Sequence, residues 1–474
     1  MRRPVLPWLS MGLPAVLAVV PPVLLIRAVG RDTVDFPWMD QWTFARDVVL
    51  AHDGQLTAAS FWVQHNEHRV PVTKVVLHLL AALSDWDTRW EVAATVTVAL
   101  AAILILTWMI LRTVGPIAPH AVGVLILVAS AVQSSLAQWQ NWTWGWQLGL
   151  LLAQAAAVVV AAALVRLPAA PARWSIVVVL AAVAGALSNG AGLVLLVAAP
   201  LGLIGLRLAG VPMPARRLLG AVAMCSATAV LYAVGWRPAM GQPPPTPIPG
   251  HVTQLLHFAL TFLGGPIASW DVGPAWRWGV TGAAVVVICA VRVWVSAPPW
   301  RRAIVPWLVL AAFSGGAAAM TAVGRLGVGM HVALLSRYTT FAVPLWFAAG
   351  PLVAIAIGSV PQRTVRLGLT CVAGALLALA VYEGAFTWER GNERMAARAS
   401  IARLAAACIT APQRAPDGCY RAVCWNAAWA RQGALQLESR GLGPWRGRGT
   451  RQSTGDAAEI DSTTGRTGAP LAPQ

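Results

Sequence analysis

The sequence predicts an all-α protein, a polytopic transmembrane helical bundle, from two features of its composition. Of its 474 residues, 57% are hydrophobic and only 11% are charged, whereas a soluble protein carries about a quarter charged residues. The hydrophobic residues also form runs of about 15 to 22 residues with almost no ionisable side chains. One such run is compatible with a buried core helix, but eleven of them require a lipid bilayer as solvent. A soluble enzyme and a secreted disulfide scaffold are therefore excluded as descriptions of the whole chain.

About eleven membrane spans are predicted from these runs. They fall near residues 8–29, 90–111, 120–138, 147–165, 174–189, 191–207, 218–236, 275–295, 303–322, 338–358 and 367–386. The first run resembles a signal sequence in charge, but it is too long and lacks a convincing cleavage site, so we expect an uncleaved span. The apolar region 71–84 is short and is interrupted by Lys74 and His78. We expect it to lie at the interface or to re-enter the membrane.

The charges of the loops predict one orientation. If the N-terminus is inside, every inner loop is basic and none contains an Asp or Glu. The basic residues concerned are Arg2, Arg3, Arg112, Arg166, Arg173, Arg207, Arg216, Arg217, Arg301, Arg302, Arg363 and Arg366. The positive-inside rule then places the N-terminus in the cytoplasm and residues 387–474 outside. Because 34 Arg accompany a single Lys and abundant Ala, Gly and Pro, we expect a bacterial chain in the inner (plasma) membrane.

Two regions are predicted along the chain. Residues 1–386 form the transmembrane region, whose long first outer loop at 30–88 carries membrane-parallel helices. Residues 387–474 form an extracytoplasmic tail that is partly disordered, above all in its last 30 residues. Cys419 and Cys424 have four residues between them and could pair in an oxidising exterior. The net charge of +17 does not indicate a nucleic-acid partner, because it is spread over short loops and a tail.

Polar residues that are costly near a bilayer gather on the outer side, which predicts a shared cavity there. In the first outer loop, the apolar positions from Trp38 to Val49 recur at helical spacing. This pattern is typical of a helix on the membrane surface that presents carboxylates above it. A solvated helix face would give the same pattern. The loop, however, also concentrates Asp35, Asp40, Glu67 and two histidines.

The run His65-Asn66-Glu67-His68-Arg69 is the densest polar cluster of that loop. His65 and His68 are three residues apart and would share one helix face, so a divalent metal is one ligand they could hold. No standard zinc spacing is present, and no metal ligand is assigned. The alternatives are hydrogen bonds to a sugar, binding of an anionic group through Arg69, or a Glu67–Arg69 network that fixes the loop.

A tryptophan-rich segment and a short turn add to the outer side. Residues 139–146 hold four Trp in eight positions. Trp142 and Trp146 belong either to an aromatic belt at the interface or to a stacking wall for a sugar ring or prenyl chain. Asn189, in the turn Ser-Asn-Gly, is a further candidate for substrate binding.

Arg325 and Arg337 flank a late outer loop, and Tyr338 follows at the start of the next span. An arginine at the end of a span often only snorkels to the interface. A guanidinium on the same side as the carboxylate loop would, however, suit a phosphate, whose oxygens it can hold bidentately.

On these residues the chain resembles the C-type membrane glycosyltransferase superfamily. Asp40-Gln41, followed by Ala45, stands where such enzymes carry a paired acidic motif, and Arg337-Tyr338 is similar to an Arg-Tyr pair at a late span. A Trp-rich loop and the Asn-Glu-His-Arg run at 66–69 are similar to those of a bacterial branch. The resemblance is architectural over 1–386 and rests on motifs only over about 35–70 and 324–338. Gln41 departs from the pattern, because relatives have an acid there.

The resemblance implies transfer of a sugar from a polyprenyl-phosphate donor to an envelope glycan, lipid or protein acceptor outside the cell. Asp40 would be the catalytic base, and Asp35, His65 or Glu67 would orient it or the acceptor. Arg325 and Arg337 would bind the donor phosphate, and a single displacement would invert the anomeric carbon.

Other functions remain open at this point. The chain could be a lipid or glycan transporter or flippase, although coupled transporters often show internal repeats and no convincing repeat relates its halves. It could also be a non-catalytic envelope-binding membrane protein, or an oligosaccharide polymerase or ligase with an outward-facing site.

Overall fold

The computed structural model describes residues 6–238 and 243–447, and within them the protein is all-helical, with 79% helix and no strand. The α-helices are α1 (Leu6–Leu17), α2 (Val20–Asp32), α3 (Gln41–His52), α4 (Ala58–Trp62), α5 (Pro71–Ser84), α6 (Thr88–Thr113), α7 (Val122–Gln133), α8 (Trp139–Thr143), α9 (Leu148–Arg166), α10 (Pro171–Ala186), α11 (Leu195–Leu208), α12 (Ala215–Ala233), α13 (Val252–Gly264), α14 (Val272–Ser296), α15 (Arg301–Arg325), α16 (Thr339–Gly358), α17 (Arg363–Cys408), α18 (Asp417–Arg421) and α19 (Ala427–Ser439). The predicted helical bundle is confirmed.

Nine helical stretches of the described chain are long and apolar enough to cross a membrane. They are Gly12–Asp32, Thr88–Thr113, Pro119–Thr143, Gly145–Ala169, Gly190–Leu208, Val272–Ser296, Pro298–Val328, Ser336–Gly358 and Arg363–Cys408. The other two predicted spans are also helices. α10 has 16 residues, which at 1.5 Å per residue is short for a bilayer core of about 30 Å. α12 carries Arg216 and Arg217 in its first turn, and these lower its hydropathy.

Two short apolar helices supplement these stretches. α5 has 14 residues and covers the region expected to be interfacial or re-entrant. α13 has 13 residues and was not predicted, because it is too short to register as a span. It packs mainly against α14 and α15.

The centre of the bundle is formed by helices that are apolar on all sides, such as α9, α15 and α16, which is typical of helices with no solvent-facing side. Trp307 of α15 and Phe341 of α16 are almost fully buried there, as is Leu151 of α9. α2 and α17 lie at the periphery instead and leave much of their apolar surface exposed.

The long apolar helices run between two ends of the bundle. Three connections meet the first loop or α17 at one of these ends. Val72 donates a hydrogen bond to the Leu187 carbonyl, Arg69 to the Val234 carbonyl, and Thr387 to the Ile267 carbonyl. The ends of α6, α9 and α16 and the start of α15 meet at the other end, where the arginine-rich turns lie. The polar residues singled out above therefore share one end of the bundle.

That end carries a folded cap, which we define as residues 33–87 together with 387–447. α17 is 46 residues long, about 69 Å at 1.5 Å per residue, and its second half continues into the cap. Trp42 and Trp86 of the loop share a buried cluster with Tyr420 and Leu437 of the tail. The Met39 N–H also donates to the Val423 carbonyl at 2.7 Å. The tail up to residue 447 is thus part of the cap, while most of the expected disorder falls on 448–474, outside the described residues.

The disulfide of the cap joins Cys408 and Cys419, so the Cys419–Cys424 pair that the sequence left open is not formed. Cys408 ends α17 and Cys419 lies in α18, and their Cα atoms are 6.3 Å apart, within the range that a disulfide spans. Cys424 is a buried free thiol inside the cap cluster.

Candidate functional site

Side chains from four separate segments meet at the cap end of the bundle. We define the polar array as Asp40, His65, Glu67, His68, Arg325, Arg337 and Tyr338. His65 Nε2 lies 3.9 Å from Asp40 Oδ2, and His68 interacts electrostatically with both of them. His68 Nε2 is 3.7 Å from Glu67 Oε1, and Glu67 forms an ion pair with Arg325. The array therefore connects the first loop with the end of α15.

The other end of the array is formed by Arg337 and Tyr338, which precede α16. The Tyr338 side chain interacts with the side chains of both Arg325 and Arg337, and the Arg337 guanidinium lies 5.2 Å from the centre of the Tyr338 ring. Arg337 is half-buried. The guanidinium groups of Arg325 and Arg337 thus both lie beside the Tyr338 phenol, at the opposite end of the array from Asp40.

The histidines are presented by a tight turn. His65 and His68 exchange backbone hydrogen bonds of 2.8 and 2.9 Å, so only Asn66 and Glu67 connect them. Asn66 has φ = 49°, a left-handed conformation that Asn adopts more readily than most residues. The expectation that the two histidines share a helix face is wrong, because this turn replaces the helix. In the described parts of the chain, no group of three or more His, Cys, Asp or Glu is arranged to hold a metal ion.

The turn Ser188-Asn189-Gly190 packs directly against His68. A Cβ at Gly190 would lie 2.4 Å from His68 Nδ1, so only glycine leaves room for the imidazole. The Asn189 side-chain oxygen accepts a hydrogen bond of 3.1 Å from the Ala191 N–H and caps the following 3₁₀ turn. Asn189, predicted to bind substrate, therefore also stabilises the local backbone beside the array.

Arg69 is buried and holds the loop in place. Its guanidinium donates to the carbonyls of Tyr232 at 3.0 Å, Trp62 at 3.0 Å and Val234 at 2.6 Å, and it lies over the Trp62 ring. The Glu67–Arg69 network is not formed, since Glu67 pairs with Arg325. Two of these carbonyls lie at the end of α12 and one at the end of α4, so the geometry favours a structural role for Arg69 over the predicted binding of an anionic group.

The tryptophan-rich segment contributes one ring to the site. Trp146 is half-buried, and its ring centre lies 4.4 Å from that of His65. Trp142, by contrast, is fully buried, and its Nε1 donates to the Ser135 carbonyl at 2.9 Å. Trp142 therefore packs in the bundle core, and of the two predicted residues only Trp146 is placed to stack against a ligand.

The same segment positions Arg337. The Gln140 side-chain oxygen accepts a hydrogen bond from the Arg337 N–H at 3.2 Å, and Asn141 Nδ2 donates to the Arg337 carbonyl at 3.2 Å. Asn141 also donates to Thr340 Oγ1 at 2.6 Å. Since Gln and Asn side chains fix both sides of its backbone, Arg337 belongs to a rigid part of the site.

Asp35 lies outside the array. Its Oδ1 accepts hydrogen bonds from the Thr88 N–H at 2.9 Å and from the Thr88 hydroxyl at 3.0 Å. Its Oδ2 accepts one from Arg446 at 2.5 Å. With both oxygens bound, Asp35 joins the first loop to the start of α6 and to the tail, and this geometry favours a structural role over the predicted catalytic one.

Sequence reasoning missed the buried carboxylate of Glu91, which lies in the first turn of α6. Gln41, the position at which this chain departs from the superfamily motif, donates to Glu91 Oε2 at 2.6 Å, and Trp86 donates to Oε1 at 2.9 Å. A Cβ at Gly145 would lie 2.2 Å from Glu91 Oε2. The sequence did contain a signal for Glu91, because acidic residues are rare within membrane spans and this one falls inside the predicted span 90–111.

The protonation of His68 predicts a pH dependence. Partial burial, together with the neighbouring His65, lowers the pKa of His68 to about 4, although Asp40 acts in the opposite direction. Between about pH 6.5 and pH 4 the unfolded chain binds a proton here that the folded chain does not, so stability is expected to fall as the pH falls. The check is thermal unfolding in detergent at pH 7.5 and pH 4.5. Between these two pH values, the melting temperature of the wild type should fall more than that of His68→Gln. The control His120→Gln changes an exposed histidine and should behave like the wild type. Equal losses in all three proteins would contradict the expectation.

The array combines a half-buried carboxylate beside an imidazole with two guanidinium groups and an aromatic ring. Such a set can accept a proton from a hydroxyl group and stabilise negative charge that develops on a phosphate. Comparisons of the chain with protein-family models, with curated proteins and with solved structures find no match.

Proposed function

We propose that this protein is a membrane glycosyltransferase that moves a sugar from a polyprenyl-phosphate donor to an envelope glycan, lipid or protein acceptor. The observation that supports it is the polar array, in which Asp40 is linked through His65, His68 and Glu67 to Arg325 and Arg337. A base for an acceptor hydroxyl and a cationic site for a phosphate are the two elements that such a transfer requires.

The reaction would proceed as one displacement. The acceptor oxygen attacks the anomeric carbon, its proton passes to Asp40, and the bond between the anomeric carbon and the phosphate oxygen breaks. Arg325 and Arg337 stabilise the charge that develops on the departing phosphate, and Tyr338 holds the two guanidinium groups in place. Attack opposite the leaving group inverts the anomeric carbon.

The compartment is part of the same proposal. The arginine-rich turns lie at the end of the bundle away from the cap, which favours a cytoplasmic position for that end. The Cys408–Cys419 disulfide lies in the cap, which is consistent with an oxidising exterior. The cap and the array would then face the outside of a bacterial inner membrane.

The experiment is an analysis of the lipids that remain bound to the purified protein. We expect lipid extraction and mass spectrometry to detect a polyprenyl-phosphate-linked sugar in the wild type and about tenfold less of it in Arg337→Gln. The loss corresponds to one charge-assisted contact with the phosphate. Arg237→Gln is the matched control, because this exposed arginine lies at the same end of the bundle. Only ordinary phospholipids in every sample, or equal losses in both variants, would contradict the proposal.

A further inference from the structure

A groove of about 350 Å³ lies between α2 and α17 on the periphery of the bundle. α2 contributes Leu24, Arg27 and Arg31, which repeat at helical spacing and so share one face. α17 contributes Trp388 and Asn392, one turn apart, and Leu136 closes the groove from the adjoining 3₁₀ turn. The groove thus has apolar walls and two guanidinium groups, and none of its residues belongs to the polar array.

The two arginines differ in what they contact. Arg31 donates to Asp32 Oδ2 at 2.6 Å and to Asn392 Oδ1 at 2.7 Å, which fixes its guanidinium at the rim. Arg27, one turn earlier, is exposed and makes no side-chain hydrogen bond or ion pair with any residue that the structure describes. Because Asp32 offsets only one positive charge, the groove keeps one uncompensated cation.

The position of Arg27 indicates the environment that the groove faces. Val23, Leu24 and Ile26 beside it are exposed on α2, which is part of the stretch Gly12–Asp32 that is long and apolar enough to span a membrane. Arg27 lies five residues before the cap end of α2 at Asp32, a depth of about 7.5 Å at 1.5 Å per residue. The headgroup layer of a bilayer has about this thickness on each side.

We propose that this groove binds an anionic phospholipid of the surrounding membrane. The phosphate lies between Arg27 and Arg31, and an acyl chain follows the exposed Leu24 toward the bilayer centre. The apolar walls favour a lipid over a free phosphate ion, and the uncompensated charge favours an anionic over a zwitterionic headgroup. This inference does not rest on the proposed transfer reaction, because it involves other residues.

The test is a titration of the full-length protein in detergent, followed by native mass spectrometry of the bound lipid. The probes are dioleoyl phosphatidylglycerol, dioleoyl phosphatidylcholine with the same chains, and glycerol 3-phosphate as a headgroup without chains. We expect the wild type to bind phosphatidylglycerol at least about fivefold more tightly than phosphatidylcholine, and Arg27→Gln to remove this preference. Glycerol 3-phosphate should not bind measurably.

Arg277→Gln is the matched control. Arg277 is exposed on α14, five residues from the cap-side start of that helix at Val272, so its loss changes the net charge equally at a similar depth. If Arg27 merely snorkels, both variants will bind phosphatidylglycerol like the wild type, and the proposal is overturned. Equal losses in both variants, equal binding of the two lipids, or tight binding of glycerol 3-phosphate would overturn it as well.

Discussion

Asp40→Asn is expected to lower the rate of sugar transfer by about a thousandfold while leaving the binding of the donor nearly unchanged. General base catalysis contributes about a hundred- to ten-thousandfold to such reactions, and an amide cannot accept the proton of the acceptor. Asn keeps the shape of Asp at a half-buried position beside His65, so the array should stay intact. The measurement is the initial rate of transfer in liposomes, with the donor identified from the purified protein.

Asp85→Asn is the control for this variant. Asp85 is exposed in the same loop and has φ = 48° at the end of α5, a left-handed conformation that Asn adopts readily. The chemical change is therefore identical, and no effect on transfer is expected. If Asp40→Asn keeps a tenth or more of the wild-type rate, Asp40 is not the base, and the assignment of the array to glycosyl transfer fails at its central residue.

The helical bundle was predictable because a bilayer imposes a simple rule on sequence. A segment that crosses it must be about 20 residues long and apolar, and nearly every such run is visible in the printed chain. The same rule hides α13, which at 13 residues is too short to stand out. It also hides the continuation of α17 beyond its apolar half, since residues 387–408 are ordered by packing within the cap.

The array was predictable as a set of residues on one side, but its contacts were not. Topology alone brings the first loop and the late arginines to the same end of the bundle. The Glu67–Arg325 pair, however, joins residues 258 positions apart, and no local pattern marks it. The spacing of the two histidines suggested a helix. The left-handed conformation of Asn66 instead reverses the chain there, and the spacing of polar and apolar residues does not reveal this.

The disulfide could not be predicted from sequence either, although the cysteines concerned are close together along the chain. Cys419 and Cys424 are close in sequence, but a disulfide depends on the separation and direction of the side chains. Cys424 is buried among the apolar side chains of the cap. Cys408, by contrast, reaches Cys419 because α17 extends far past its apolar half.

Arg69→Met is expected to be the most destabilising single change in the loop, by about 3 to 5 kcal/mol. Hydrogen bonds to charged groups contribute about 1.5 to 3 kcal/mol each, and a buried carbonyl left without a donor is costly. Arg69 donates to three carbonyls while it is only 6% exposed. Without it, the loop loses three of the hydrogen bonds that hold it to the ends of α4 and α12, and the support of Glu67 and the two histidines is weakened.

Hydrogen exchange reports this loss locally, since it follows the opening of individual segments. The amides of His65 and His68, which bond each other across the turn, should exchange at least about a hundredfold faster in Arg69→Met, as 1.4 kcal/mol corresponds to tenfold. Arg69→Lys should recover only part of the protection, because a single ammonium cannot reach three carbonyls as a planar guanidinium does. Arg237→Met, two residues beyond Gly235 and exposed, should leave the exchange unchanged. Unchanged exchange at His65 and His68 in Arg69→Met would mean that the turn is held instead by its other contacts, namely the Glu67–Arg325 pair and the hydrogen bond from Trp236 to the Glu67 carbonyl.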